Sequence, residues 1–531
     1  MASFMNQTIN LLVIPMCLVI LTLMALPITA SCNHDRLAYT MLTLTQLIVA
    51  YGFRNAYLHP LLQYPGPLLW RSFRLPYVMS THRGLLHNHL KEFHTTYGPI
   101  VRIAPNELSF ADSAAWKDIY LNRPGHAPFT RSTAFTKKMT DNEPNSILGP
   151  NEDDHARFKR VFANSFSDKA RRDQGPVIEG HVDLFINQLK ALTPMSASDS
   201  VEETLHLGKW LNYLLFDISG DLSFGGSFDC LRSSKTHLWV QVSQDFGKGL
   251  AMIGSINHYI VEYPRFNRLL PHIIPKKILQ RALTHRKVSA AKVSKRLALD
   301  IDRPDFVTPA AKYLDAKECD LTTVEWRLNM TVIAFAASQT TSSALTAIMR
   351  ELLTNPHAMR RLVLQIRDKF EDKSVITIAT TTDLPYLNAV VNEGLRHDPT
   401  AVIGVPRIVP DGGDTVCGRW VPGGTFVTYN QYSASRQAYN FYEPNSFIPE
   451  QFLDIDPADN MAAFQPLSVG RQACLGMRHA YAEIRVTLTQ LLWSFDIVLK
   501  DEGDLWDWGE QKTYIFWVSG IILMNIRLFA N

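Results

Sequence analysis

Cysteine is scarce in this chain, and where it occurs it is scattered. The six cysteines are Cys17, Cys32, Cys230, Cys319, Cys417 and Cys474, with no CxxC pair and no zinc-type spacing. That argues against a disulfide framework or a structural zinc site and fits a reducing compartment. Charge is also thin. Charged residues make up 19% of the chain, the formal net charge is +3, and no block of five or more like charges occurs. So mild a balance gives no electrostatic footprint for nucleic acid, and no nucleic-acid partner is expected. Internal repeats, low-complexity tracts and long linkers are missing as well, so the body reads as one large domain.

What the chain has in plenty at its start is apolar sequence. Ile9 to Ala30 carries no charged residue and is about long enough to cross a bilayer at ~1.5 Å per residue. The polar stretch Ser31 to Arg36 follows, then a second apolar run from Leu37 to Phe53 with Tyr51, Phe53 and Tyr57 as interfacial aromatics. The first ten residues hold no Lys or Arg, and the first apolar run exceeds the usual signal-peptide core. Residues 1–56 are therefore read as a retained membrane anchor of one or two transmembrane segments, about 9–30 and 37–53. Arg54, Arg71, Arg74 and Arg83 follow, which places the body, residues 57–531, in the cytosol by the positive-inside rule. Glycosylation at the Asn6-Gln7-Thr8 sequon would distinguish one span from two.

Beyond the Tyr64-Pro65-Gly66-Pro67 turn the pattern is mainly helical. Thr322 and Glu325 form a capping box, and apolar residues run from Val324 to Leu353 before Asn355-Pro356. That predicts a helix of ~30 residues, about 45 Å long. A second helix is expected to be capped by Asp383, with Pro385 early in it and Asp398-Pro399 ending it. A third starts just after Cys474 and carries Met477 to Phe495. Strand-like runs at Ile100–Ile103, Thr425–Val427 and Ile521–Leu523 supply small sheets in the first and last thirds.

Three constellations carry chemistry. Leu467-Ser468-Val469-Gly470-Arg471-Gln472-Ala473-Cys474-Leu475-Gly476 sets a cysteine between glycines, which permit close approach and positive φ. A thiolate held there by backbone N–H groups and a helix onset would be a metal ligand protected from oxidation. Glu393 and Arg396 share a helical face and can pair. Ala336-Ala337-Ser338-Gln339-Thr340 puts small residues and a hydroxyl in the middle of the long helix. Taken singly, each has a structural reading: a buried thiol, a solvated ion pair, ordinary helix packing.

In this order, with Phe447-Ile448-Pro449-Glu450 between the second helix and the cysteine, they resemble the cytochrome P450 family from Tyr57 to the C-terminus. Tyr57-Leu58-His59-Pro60, Phe216 to Gly225 and Tyr481-Ala482-Glu483-Ile484-Arg485 resemble fungal microsomal members in particular. The resemblance implies a mainly α fold, a large helical domain with small β-sheets enclosing haem b (iron protoporphyrin IX), preceded by the transmembrane helix or helices. It implies Cys474 as the iron ligand in a loop shaped by Gly470 and Gly476. Ala336 would lie in the groove beside the haem, and Thr340 with Gln339 at the oxygen-activating position. His155, Lys159 and Arg407 would hold haem propionates, a sensible use of cations because two carboxylates enter an apolar interior. Glu393 and Arg396 would be a buried structural pair. Pro128 to Phe135, Ala401 to Gly404 and Val518 to Gly520 would surround the substrate.

Departures from the family pattern are specific. Gln339 stands where an acid is usual, Gln472 where an arginine is usual, Leu467 for phenylalanine, Gln451 for arginine, and Ala337 for glycine. The implied activity is monooxygenation of a hydrophobic small molecule (terpenoid, polyketide or alkaloid intermediate) in fungal secondary metabolism. It would use O2 and electrons from NADPH-cytochrome P450 reductase at the endoplasmic reticulum membrane. A reductase-independent isomerase or dehydratase and a non-catalytic haem-binding protein are the alternatives.

Overall fold

The computed structural model describes residues 33–136, 144–149, 151–193, 205–262, 276–299, 301–314, 321–454, 459–500, 511–517 and 523–529. The apolar run 9–30, the sequon, Cys17, Cys32, Cys319 and Val518–Gly520 lie outside them.

Helices dominate. Among them are α1 (Asn33–Tyr57), α2 (Leu68–Ser72), α3 (Leu75–Arg83), α4 (Glu152–Ala163), α5 (Asp168–Leu192), α6 (Leu207–Phe224), α7 (Leu238–Glu262), α8 (Thr323–Thr354), α9 (Pro385–His397) and α10 (Met477–Ser494). The strands are β1 (Ile100–Ala104), β2 (Glu107–Phe110), β3 (Thr130–Arg131), β4 (Leu205–His206), β5 (Arg407–Ile408), β6 (Asp414–Val416), β7 (Arg419–Val421), β8 (Phe426–Tyr429), β9 (Phe495–Leu499) and β10 (Leu523–Leu528). They form a sheet of order β1-β2-β8-β5-β3, a sheet β4-β10-β9 and a β6–β7 hairpin. Only the β2–β8 pairing is parallel.

Helix α8 is the axis of the molecule. Its capping box forms as the sequence predicts, with Thr322 Oγ1 accepting from the Glu325 N–H and the Glu325 carboxylate accepting from the Thr322 N–H. Trp326, Met330, Leu345 and Ile348 are fully buried, and α6, apolar on nearly every side, packs along it. Among the described residues α8 is the one helix long and apolar enough to cross a membrane, yet it is mostly buried inside the protein. An N-terminal helix that meets the same criterion is not found among them.

The structure corrects several local expectations. The polar stretch before the second apolar run is not a break throughout, because α1 already begins at Asn33 and runs unbroken to Tyr57. Asp383 does not cap α9: the N-cap is Leu384, with no side-chain bond, and Pro385 opens the helix. Gly470 has φ 75°, as its loop requires, but Gly476 has φ −88° and needs no glycine for conformational reasons. Strand β4 adds a sheet element in the middle third of the chain.

Candidate functional site

The cysteine loop, residues 467–476, ends at the start of α10. The Cys474 N–H donates to the Leu467 carbonyl at 2.9 Å, closing the loop, while residues 470–472 make a single tight turn. A side-chain carbon on Gly470 would collide with the Tyr120 carbonyl oxygen. Ser468 also takes positive φ, 60°, without being glycine. Cys474 is exposed, although enough protein lies around it to desolvate its thiol. Burial pushes its thiol up, against the opposing pull of the Gly476 N–H and the Lys159 ammonium. Both of those opposing groups favour thiolate.

Helix α4 holds this loop from the side. Asn151 caps it, accepting from the N–H groups of Asp153 and Asp154 at 3.0 Å each. His155 and Lys159 then project one turn apart. His155 Nδ1 contacts the Ile147 carbonyl at 2.7 Å, and Lys159 Nζ donates to the Arg471 carbonyl at 2.6 Å. Arg157 ties the same helix to α8 through Glu325, 2.6 Å.

Next to them the β3–β5 register sets Arg131 directly opposite Arg407. Like charges opposed across a ladder are unfavourable unless an anion lies between them or near them. Burial and Arg407 hold the Arg131 guanidinium down to about 10, and burial likewise lowers Arg407. Arg407 Nε is buried with no hydrogen-bond partner. Glu152 is the carboxylate that these cations sense, and its Oε1 accepts from Gln472 Nε2 at 2.6 Å. Four cationic or protonatable groups, Arg131, His155, Lys159 and Arg407, thus outnumber the acid beside the cysteine loop. A ligand carrying two carboxylates fits this imbalance, as haem does. Arg131 was not singled out for this role in the sequence. Its signal is the strand register opposite Arg407, which no local motif contains.

Glu393 and Arg396 are not a surface pair. Both are fully buried, and Arg396 Nε and Nη2 reach the Glu393 carboxylate at 2.6 and 2.8 Å. Arg396 also donates to the carbonyls of Ser435, Pro444 and Ser446, while Glu393 accepts from the Ile448 N–H and Gln451 Nε2. The pair therefore staples residues 435–451 to α9. Gln451 keeps the hydrogen bond without supplying a second positive charge.

On α8, Ala336 is exposed and Ala337 and Thr340 are partly so, although neighbouring residues are buried. In a core helix such a stripe borders interior space. The Thr340 hydroxyl donates to the Ala336 carbonyl at 2.7 Å. Gln339 is off the stripe: it is buried, and its Oε1 has no partner. Behind α8, Glu483 on α10 is fully enclosed, and burial pushes its carboxyl up to about 8 against a hydrogen bond from Thr341. Glu483 lies in the quoted 481–485 stretch, but nothing in that stretch marked it as a buried acid.

Comparison with known proteins gives one family and many relatives. The family model described as Cytochrome P450 matches residues 60–519. The cytochrome P450 monooxygenase astJ of Aspergillus oryzae is 38% identical, covering 90% of this chain and 95% of its own length. The monooxygenase atr2 of Stereocaulon alpinum is 36% identical over 90% of this chain and 92% of its own length. The versicolorin B desaturase of Dothistroma septosporum is 35% identical over 90% and 91% respectively.

Proposed function

The chain belongs to the cytochrome P450 family and is a P450 monooxygenase, and on that footing we propose that Cys474 is the thiolate ligand of a bound haem b. The observation that carries the assignment is the surplus of cations, Arg131, Lys159 and Arg407, with the hydrogen-bonding imidazole of His155, beside a loop that aims backbone N–H at Cys474 Sγ. Haem bound there would supply the activation of O2 and the insertion of one oxygen atom into the substrate.

The protein's share is positioning and proton handling. Lys159 and the Gly476 N–H favour the thiolate form of Cys474. Arg131, His155 and Arg407 hold the propionates. Ala336 leaves room beside α8, and the Thr340 hydroxyl holds a proton on the face of α8 that borders the interior space. The substrate is a hydrophobic small molecule of fungal secondary metabolism, a terpenoid, polyketide or alkaloid intermediate; the relatives are fungal monooxygenases, and one is named a versicolorin B desaturase. Electrons come from NADPH-cytochrome P450 reductase, with residues 1–56 anchoring the body (57–531) at the cytosolic face of the endoplasmic reticulum. The isomerase reading rests on Gln339 alone, whereas the relatives are named monooxygenases and a desaturase.

The test is the reduced carbon monoxide difference spectrum of the full chain and of Cys474→Ala. The thiolate-type Soret band is expected in the former and lost in the latter. A band that survives the substitution would refute the ligand.

A further inference from the structure

The C-terminal ends of α8 and α9 meet at a buried charged cluster that the haem site does not use. Glu351 lies in the last turn of α8, His397 ends α9 and Asp398 follows it, and all three are buried. His397 Nδ1 is 3.2 Å from Asp398 Oδ2 and 3.6 Å from Glu351 Oε1, while Nε2 donates to the Asn445 carbonyl at 3.1 Å. Arg436 Nη2 donates to Asp398 Oδ1 at 3.0 Å and Nη1 donates to the His397 carbonyl, and Arg350 pairs with Glu351. By atom type the trio could hold a metal, but the two guanidiniums already neutralise its carboxylates.

Nε2 carries a hydrogen because a carbonyl faces it, so the Nδ1 side needs a second proton to meet two carboxylate oxygens. That proton is shared between the ring and Glu351, whose carboxyl burial pushes up. Burial acts on Asp398 in the same sense, yet His397 and Arg436 hold its carboxyl well below the usual range. Groups held in this way fix geometry, since none can move without leaving a buried charge bare.

What they fix leads towards the accessible stripe of α8. Pro399 turns the chain out of α9 directly after Asp398. The Pro399 carbonyl accepts from Trp517 Nε1 at 3.1 Å, and the Val402 N–H donates to the Ile515 carbonyl at 3.2 Å. Trp517 packs on Tyr432 with ring centroids 5.5 Å apart, and the Arg436 guanidinium lies 4.1 Å from the Tyr432 ring. Phe516, between the two anchored residues, is partly exposed and meets Phe335 of α8 with ring centroids 5.9 Å apart. Phe335 immediately precedes Ala336, where the stripe begins.

We propose that His397, acting through Asp398 and Arg436, is a positioning residue for the substrate: it sets residues 399–402, and with them Phe516, as one wall of the space beside the α8 stripe. The proposal rests on the haem reading above and adds to it a clasp remote from the thiolate loop.

The experiment is spectral titration of the full-length holoprotein with two iron-binding probes, imidazole and 4-phenylimidazole. Imidazole needs only the iron, whereas the phenyl ring must also fit the wall. His397→Gln keeps a donor for Asn445 and opens the clasp. It should bind imidazole within about twofold of wild type and 4-phenylimidazole about tenfold more weakly. Asp398→Asn should do the same. If His397→Gln does not fold, Glu351→Gln/His397→Gln removes one acid together with the ring and serves instead. In a Phe516→Ala background, His397→Gln should change 4-phenylimidazole binding by less than about twofold, because the two residues act in series. Equal losses for both probes, no loss for either, or full additivity with Phe516→Ala overturns the inference. A wild type without the thiolate-type band in carbon monoxide overturns the haem reading instead.

Discussion

Lys159 Nζ and the carbonyl oxygen of Arg471 lie 2.6 Å apart, which joins α4 to the loop just ahead of Cys474. The ammonium acts there both as donor to the loop and as a charge beside the thiol. Lys159→Met keeps most of the side-chain volume and removes both functions. Loss of such supporting contacts costs about 10–100-fold in metal-site affinity. Haem should therefore transfer to an acceptor apoprotein about tenfold faster or more from Lys159→Met, and Lys159→Arg should recover most of the loss. Equal transfer rates for wild type and Lys159→Met would contradict the role.

The Glu393–Arg396 pair gives a stability prediction. Arg396→Met leaves the Glu393 carboxylate buried with only the Ile448 N–H and Gln451 as neutral partners. Breaking a buried pair from one side costs about 3–5 kcal/mol. Urea denaturation followed by tryptophan fluorescence should show a loss of that order. A loss under about 1 kcal/mol, the range of surface pairs, would mean that the staple is not structural.

Much of this was legible in the chain. The capping box at Thr322, the small residues of α8, the ion pair of α9 and the closed loop at Cys474 are local patterns, and local patterns survive folding. The failures are also local in origin. Asp383 has the chemistry of a cap, but Leu384-Pro385 sets the helix start one residue later, where proline fixes φ in advance. Gln339 sits beside Thr340 in sequence, yet it is buried where Thr340 is partly exposed, so adjacency did not mean a shared environment. Arg131 and Glu483 were not legible because their meaning comes from Arg407 across a sheet and from Thr341 across a helix packing.

Glu483 should give α10 a distinct pH response. Its ordinary value is 4.5 and burial raises it to about 8. The unfolded chain then releases the proton first as pH rises, so the contribution of this group to stability is complete below about 4.5 and is lost as pH climbs through about 8. Glu483→Gln lacks this dependence. The stability of Glu483→Gln relative to wild type should increase with pH across that window, by up to a few kcal/mol at order of magnitude. Urea midpoints measured from pH 5 to 9 would disprove it if both proteins gave parallel curves.

The last prediction separates Thr340 from Gln339. Thr340 is on the accessible stripe of α8, and its hydroxyl donates a hydrogen bond to the Ala336 carbonyl. Thr340→Ala should retain haem and still consume NADPH, while product formed per NADPH falls about tenfold or more, in the range expected for loss of a proton-handling group. Thr340→Ser should restore most of it. Gln339→Glu would put back the acid that the family usually has, but on a buried face where the existing Oε1 already has no partner. A carboxyl there pays desolvation without reaching the stripe, which costs about 1–3 kcal/mol or more. Gln339→Glu should therefore melt earlier than wild type and give no more product per NADPH. A gain in coupling from Gln339→Glu would show that the side chain does reach the site, and that the stripe is wider than Ala336, Ala337 and Thr340.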